Sequence, residues 1–235
     1  MRPPGREAVF GEPRPAHPDA KWSRRGWGLE PRSVDSKPVD SRNAVRRLAR
    51  RAARVSDRAL HGLRRRSLLR KFRRRGRPTS VLFVCHGNIC RSPFAAGLMR
   101  QLLPAALRGA VTVESAGFVG AYWPSPREAI EVAAEWGVDL SHHRARLLTP
   151  ALVRAAQVIV VMDSQQRREI CALYRRRSAG VLLLGDLDPL GREARAIRDP
   201  VDQPAAVFRQ VYSRIARCVA EFVRAVTHAE ATGPR

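Results

Sequence analysis

The sequence contains no C-x-x-C pair, and its four cysteines, Cys85, Cys90, Cys171 and Cys218, are few and unevenly spaced. That excludes a C-x-x-C zinc site and a disulfide-built miniprotein. No apolar run approaches the roughly 20 residues of a membrane-spanning helix, and no secretory leader pattern is present. A reducing cytoplasm is therefore the expected compartment. Acidic residues are scarce, 21 against 44 Lys and Arg, for a net charge of +23. The shortage is uneven: residues 1–78 hold 24 basic against 7 acidic residues, and residues 79–235 hold 20 against 14. A composition break therefore falls near Pro78. The basic part lacks aromatics interleaved for base stacking, so no specific nucleic-acid partner is expected.

Residues 1–42 are rich in Pro and Arg with no period and are expected to be a disordered tail, as are the last residues, 231–235. In residues 43–78, Val45, Leu48, Ala52, Val55, Ala59 and Leu63 recur at helical spacing among arginines. This predicts a basic amphipathic helix suited to an anionic membrane surface, with a solvated linker as the alternative. From residue 79 to 230, apolar strands alternate with helical patterns: "SVLFVC", "AVTVESAG", "QVIVVM" and "GVLLLG" as strands, with a long closing helix over "AAVFRQVYSRIARCVAEFVRAV". The pattern predicts one doubly wound α/β domain with a four-stranded parallel sheet. Because it starts at Ser80, removal of residues 1–78 is expected to leave an intact domain.

The stretch "VCHGNICRSP", residues 84–93, leaves the first strand where ligands bind in such sheets. Pro93 fits a first helical turn, and the free N–H groups of the loop and helix start form an anion cradle. Gly87 and Asn88 tolerate the positive φ that a cradle needs. Arg91 offers a fork matched to two phosphate oxygens. Cys85, at the strand end, sits where a helix N-terminus and a cation favour the nucleophilic thiolate. The combination predicts a phosphoryl-binding loop that presents a nucleophile to phosphorus.

This loop resembles that of the low-molecular-weight protein tyrosine phosphatases, C-x-G-N-I-C-R-S-P, and the likeness continues through "ESAG", "HRARLL", "VIVVMD", "LLLGDLDP" and "RDP". The resemblance implies a phosphotyrosine hydrolase working through a cysteinyl-phosphate, with no cofactor and no metal. It implies Cys85 as nucleophile, Arg91 as phosphate clamp and Ser92 as the thiolate's hydrogen-bond partner. It further implies Asn88 bonded to Ser115, His86, Gly87 and Ile89 completing the loop, and Cys90 as a thiol able to pair reversibly with Cys85 or simply to pack. Tyr122 and Trp123 would wall the substrate cleft. A structural role is expected for one of His142 and His143, beside "RAR".

A tyrosyl leaving group departs better when protonated. Two Asp-Pro pairs could supply the acid, Asp188-Pro189 and Asp199-Pro200. The second precedes the closing helix, where the family carries its acid, so Asp199 is the expected acid and Asp188 a turn residue. The chain departs from the family at Ala96, where Glu is usual, and at Val201-Asp202, where aromatics are common. Arsenate reductases share the loop but relay through further cysteines, and protein arginine phosphatases carry Thr in place of Ile89. A non-catalytic phosphate-binding or tethering protein is the remaining alternative. The resemblance implies a phosphotyrosine protein as substrate, with a bacterial tyrosine kinase as candidate partner. The expected location is cytoplasmic, peripheral at the inner membrane face through the basic segment.

Overall fold

The structure, a computed structural model, describes residues 60–229 apart from Arg192 and the side chains of Arg73 and Arg75. The expectations for residues 1–59 and 230–235 lie outside the described residues. Four strands, β1 (Ser80–Cys85), β2 (Thr112–Gly117), β3 (Val158–Val161) and β4 (Val181–Leu183), pair in parallel in the order β2-β1-β3-β4. The helices in chain order are α1 (His61–Arg75), α2 (Arg91–Leu102), α3 (Ala105–Arg108), α4 (Arg127–Ala134), α5 (Pro150–Ala155), α6 (Ser164–Leu173) and α7 (Ala205–Thr227). The four-stranded parallel α/β sheet matches the expectation.

β1 is buried from Val81 to Cys85 because helices cover both faces of the sheet. Its side chains alternate between two cores. Val81, Phe83 and Cys85 join α2, α4 and α7, while Leu82 and Val84 join α5 and α6. Local signals start the second pair of helices. Thr149 accepts from Leu152 N ahead of Pro150, and Asp163 accepts from Gln166 N at 2.9 Å ahead of α6. The chain runs from β1 to β2 on one side and returns to β3 on the other. The loop after β1 therefore opens at the switch point, on the carboxyl ends of the strands.

The sheet domain, expected from residue 79, opens with β1 at Ser80, and a helix precedes it. Helix α1 packs on the sheet domain as part of its main core. Phe72 is buried, its ring centroid 5.1 Å from that of Phe222 on α7, and Phe222 in turn meets Phe83 of β1 at 6.4 Å, edge on. Leu68 and Leu69 lean on the same core. Polar contacts fix both ends of α1: His61 Nε2 lies 2.7 Å from the Asp188 carbonyl, and Lys71 donates to Ala179 O. Arg65 pairs with the buried Glu221 of α7. The apolar side of α1 thus faces protein. The arginine-rich sequence hid this because only three large apolar residues carry the packing.

Replacing Phe72 with Ala should cost about 3 kcal/mol, near the low end for buried Phe→Ala, and lower Tm by roughly 6–12 °C. Arg66→Ala, at an exposed site on the same helix, should change stability by less than about 0.5 kcal/mol. Thermal and urea unfolding of the two variants check this.

Candidate active site

The loop between β1 and α2 is shaped by Asn88, which takes φ 51°. Gly87, expected to share this conformation, is not among the positive-φ residues, so the asparagine alone makes the left-handed turn. Three contacts hold it there. Its Nδ2 donates to Ser92 Oγ at 2.8 Å, its Oδ1 accepts from Arg146 N at 2.9 Å, and its carbonyl lies 2.6 Å from His143 Nε2. The expected bond to Ser115 does not form. Ser115 lies mid-strand in β2, level with Phe83, and the amide is occupied by Ser92 and Arg146. Burial holds the His143 imidazole below its usual pKa, aided by the Arg100 and Arg144 charges against the bond to Asn88. The ring is therefore neutral near pH 7, and its Nε2–H donates to the Asn88 carbonyl.

The end of β2 closes the loop from beneath. A Cβ on Gly117 would lie 2.7 Å from Asn88 N and from His86 O. No side chain fits, which explains the glycine of "ESAG". The next two amides, Phe118 N and Val119 N, donate to His86 O at 2.8 and 3.2 Å. From above, Tyr212 of α7 donates its hydroxyl to Cys90 O at 3.1 Å while its ring stacks on Phe94 at 3.9 Å and 4°.

Cys85 is buried, and its Sγ lies 3.0 Å from Ser92 Oγ. Since Asn88 Nδ2 occupies a lone pair of that hydroxyl, its single proton points to a remaining acceptor. The sulfur is nearer than Ala116 O at 3.4 Å. The arrangement lets Ser92 donate to a thiolate. Cys90, at the N-cap of α2, is a free thiol like Cys85. Burial pushes the Cys90 thiol well up, reinforced by the Asp199 charge and Cys85, so it stays protonated at neutral pH.

Arg91 is 4% exposed; its Nη1 donates to Ile197 O at 3.2 Å and its Nη2 pairs with Asp199, while its buried Nε has no partner. Asp199 is therefore brought to the cysteine loop by the guanidinium, with its side chain one-third exposed. Asp188 goes elsewhere. Its carboxylate is buried and bonded to Arg214 Nε at 3.0 Å, with Arg217 at 3.5 Å. Arg214 also donates to Ala194 O and Ala196 O, and Arg195 clamps Asp186 through two 2.7 Å bonds. Together they fasten the segment that ends in Asp199. A Cβ on Gly185 would fall 2.1 Å from Arg195 O, so this seam admits only glycine.

The proposed cleft pair diverges. Tyr122 is 78% exposed at φ 65°, whereas Trp123 packs against the main core. His142 is exposed and His143 is the structural histidine. Gly117, Tyr212, His61 and Arg214 were missed from sequence. Of these only Gly117 lies in a motif; Tyr212 reaches the loop at Cys90 from 122 positions away, and His61 and Arg214 bond Asp188 from 127 and 26 positions away.

Burial opposes ionisation of Asp188, but the Leu190 N–H, Arg217 and Arg214 outweigh it and hold its carboxyl below the usual value. A depressed folded value stabilises above the unfolded value, about pH 4, and that stability is lost as pH falls through the folded one. Asp188→Asn should therefore cost about 3–5 kcal/mol at pH 7 by stranding Arg214. It should also lose less further stability than the parent below about pH 4. Urea unfolding from pH 3 to 7 checks both.

The family model "Low molecular weight phosphotyrosine protein phosphatase" matches residues 80–231. A Ralstonia solanacearum protein named as a probable low molecular weight protein-tyrosine-phosphatase, EpsP, is 40% identical over 146 residues, which span 61% of this chain and 93% of that one. Vibrio vulnificus Wzb, solved with benzylphosphonate, aligns with a TM-score of 0.55 at 29% identity, covering 62% of this chain and 97% of its own. An arginine phosphatase, YwlE of Geobacillus stearothermophilus, aligns with a TM-score of 0.56 at 26% identity, over 64% of this chain and 94% of its own. With a buried cysteine, an arginine fork and an aspartate converging on one loop, and with the family match spanning the whole sheet domain, the chain belongs to the low molecular weight phosphotyrosine protein phosphatase family.

Proposed function

We propose that the chain hydrolyses phosphotyrosine on proteins through Cys85, Arg91 and Asp199. The observation that carries this is the Arg91–Asp199 ion pair, which joins the anion fork of the cysteine loop to the carboxylate able to serve the leaving group. The phosphate dianion takes the loop N–H groups and the Arg91 fork, displacing Asp199. The Cys85 thiolate attacks phosphorus and the P–O bond to tyrosine breaks. The proton of Asp199 passes to the departing phenolate oxygen. In the second step water attacks the cysteinyl-phosphate and gives a proton to Asp199. The S–P bond then breaks, and the thiolate leaves toward the Ser92 hydroxyl.

Two features weigh against the other activities. Cys171 lies with the α5–α6 core and Cys218 with the α7 core on the other face of the sheet, so they cannot relay a disulfide with each other. Burial also pushes the Cys218 thiol up to about 12, against thiolate chemistry. Ile89 fills its position in the loop with a buried branched side chain, favouring phosphotyrosine over phosphoarginine. Tyr122, exposed beyond the loop, is the better placed of the two cleft candidates to meet a substrate ring. The finer assignments, a bacterial tyrosine kinase as partner and a cytoplasmic site at the inner membrane face, belong to the same proposal. Among the described residues no helix is long and apolar enough to cross a membrane. Since α1 buries its apolar side, membrane attraction would be electrostatic, from 16 Lys and Arg between Arg42 and Arg77 against Asp57 alone. Each basic residue at an anionic surface is worth about 1 kcal/mol.

Cys85→Ser should abolish turnover of an aryl phosphate and retain vanadate binding. Asp199→Asn should slow phosphotyrosine hydrolysis by about 10²–10⁴-fold and slow aryl phosphates with acidic leaving groups far less. Equal slowing for both would remove Asp199 as the acid. In co-sedimentation, full-length protein should pellet with phosphatidylglycerol vesicles at low salt and be released at 1 M salt, where screening is within about 3 Å. Phosphatidylcholine vesicles should leave it in solution.

A further inference from the structure

Between β4 and α7 the acid-bearing segment has little structure of its own. Among the described residues from Pro189 to Ala196 there is no helix or strand, so its path is set by what grips it. Near Asp199, Ile197 N donates to Met162 O at 2.8 Å, just past β3, and Ile197 O accepts from Arg91 at 3.2 Å. At the far end is the Asp188–Gly191 turn. Its buried carboxylate receives Arg214, the same guanidinium that donates to Ala194 O and Ala196 O.

That turn is held from outside the sheet. His61, the first residue of α1, is buried, and its Nε2 lies 2.7 Å from the Asp188 carbonyl. A carbonyl only accepts, so Nε2 carries the proton and donates. The ring also faces the rest of the turn. Gly191 takes φ 61°, and a Cβ there would fall 2.7 Å from His61 Cδ2. Phe72 against Phe222 and Arg65 on Glu221 fasten the same helix to α7, so His61 stands on a fixed support. Bonded contacts therefore run without a break from His61 through Asp188, Arg214 and Ile197 to Arg91 and Asp199. Energetic coupling is carried by contiguous networks of this kind. Helix α1 precedes residue 80, where the family match begins. The grip on the turn is an addition to the shared domain.

We propose that His61 is a positioning residue for the acid. Through the Asp188 turn and Arg214, helix α1 fixes residues 194–199 and with them the place of the Asp199 carboxyl. The role rests on Asp199 being the general acid. Such an acid must lie within hydrogen-bond reach of the leaving oxygen, so a slack segment loses rate only where the proton matters.

The test compares kcat/KM of the full chain, which reports the steps through P–O cleavage, for a phosphotyrosine peptide and for dinitrophenyl phosphate. His61→Ala should lower the peptide value about tenfold, part of the roughly 10²–10⁴-fold that a placed acid contributes, and leave dinitrophenyl phosphate within about twofold. His61→Gln, which keeps an N–H donor, should recover most of the loss. Vanadate affinity should stay parental in both, because the cysteine loop is untouched. In an Asp199→Asn background, His61→Ala should cost the peptide nothing more, since the two residues act as one unit. Hydrogen exchange gives a readout that needs no catalysis: the Ile197 amide should exchange faster in His61→Ala while the β1 amides keep their rates. Gly191→Ala presses on the ring from the turn side and should give the same pattern, so it carries the comparison should His61→Ala fail to fold. Parental Ile197 exchange, equal slowing of both substrates, or an additive loss in the double variant would each overturn the role of His61. If Asp199→Asn itself slowed both substrates alike while Ile197 exchange rose in His61→Ala, the acid assignment would fall and the grip of α1 on the segment would stand.

Discussion

A single asparagine in a left-handed backbone conformation underlies the active-site loop. An L-residue there is strained by about 1–2 kcal/mol, and Asn88 remains because three groups hold it: Ser92 from the following helix, the Arg146 amide and the neutral His143 ring. Each contact also serves the chemistry. The bond to Ser92 leaves the hydroxyl proton for Cys85, and the other two contacts pin the loop at the turn. Gly117 contributes by having no side chain, since any Cβ would push the loop off that point.

Around this loop the acid-bearing segment is built as a rigid unit. Asp186, Asp188, Arg195 and Arg214 form a largely buried lattice that ties residues 194–197 to β4 and α7. Buried ion pairs of this kind add little net stability, but breaking one is expensive. They fix geometry, so that Asp199 meets Arg91 in a defined place.

The order of strands, the helices and the residues Cys85, Arg91 and Ser92 were legible because each rests on local spacing: alternating apolar runs for the sheet, and one ten-residue loop for the site. The position of Asp199 beside Arg91 was legible through a dipeptide and a resemblance. The partner of Asn88 was not, because Ser115 and Arg146 both lie on segments that border the loop and only packing chooses between them. The packing of helix α1 was not legible for a similar reason. Seven of its 15 residues are arginine, and the decisive contact of Phe72 with Phe222 joins residues 150 positions apart. Arg214 and Tyr212 looked like ordinary positions of a long helix until the loop folded against them.

Helix α1 runs with its first residue at Asp188, beyond the carboxyl end of β4, and its last residues near the strands' amino ends. The polypeptide that precedes it is therefore tethered at the catalytic end of the sheet. Residues 1–60 contain no tyrosine, so this attached segment offers the enzyme no substrate in cis, and it carries 15 basic against 7 acidic residues.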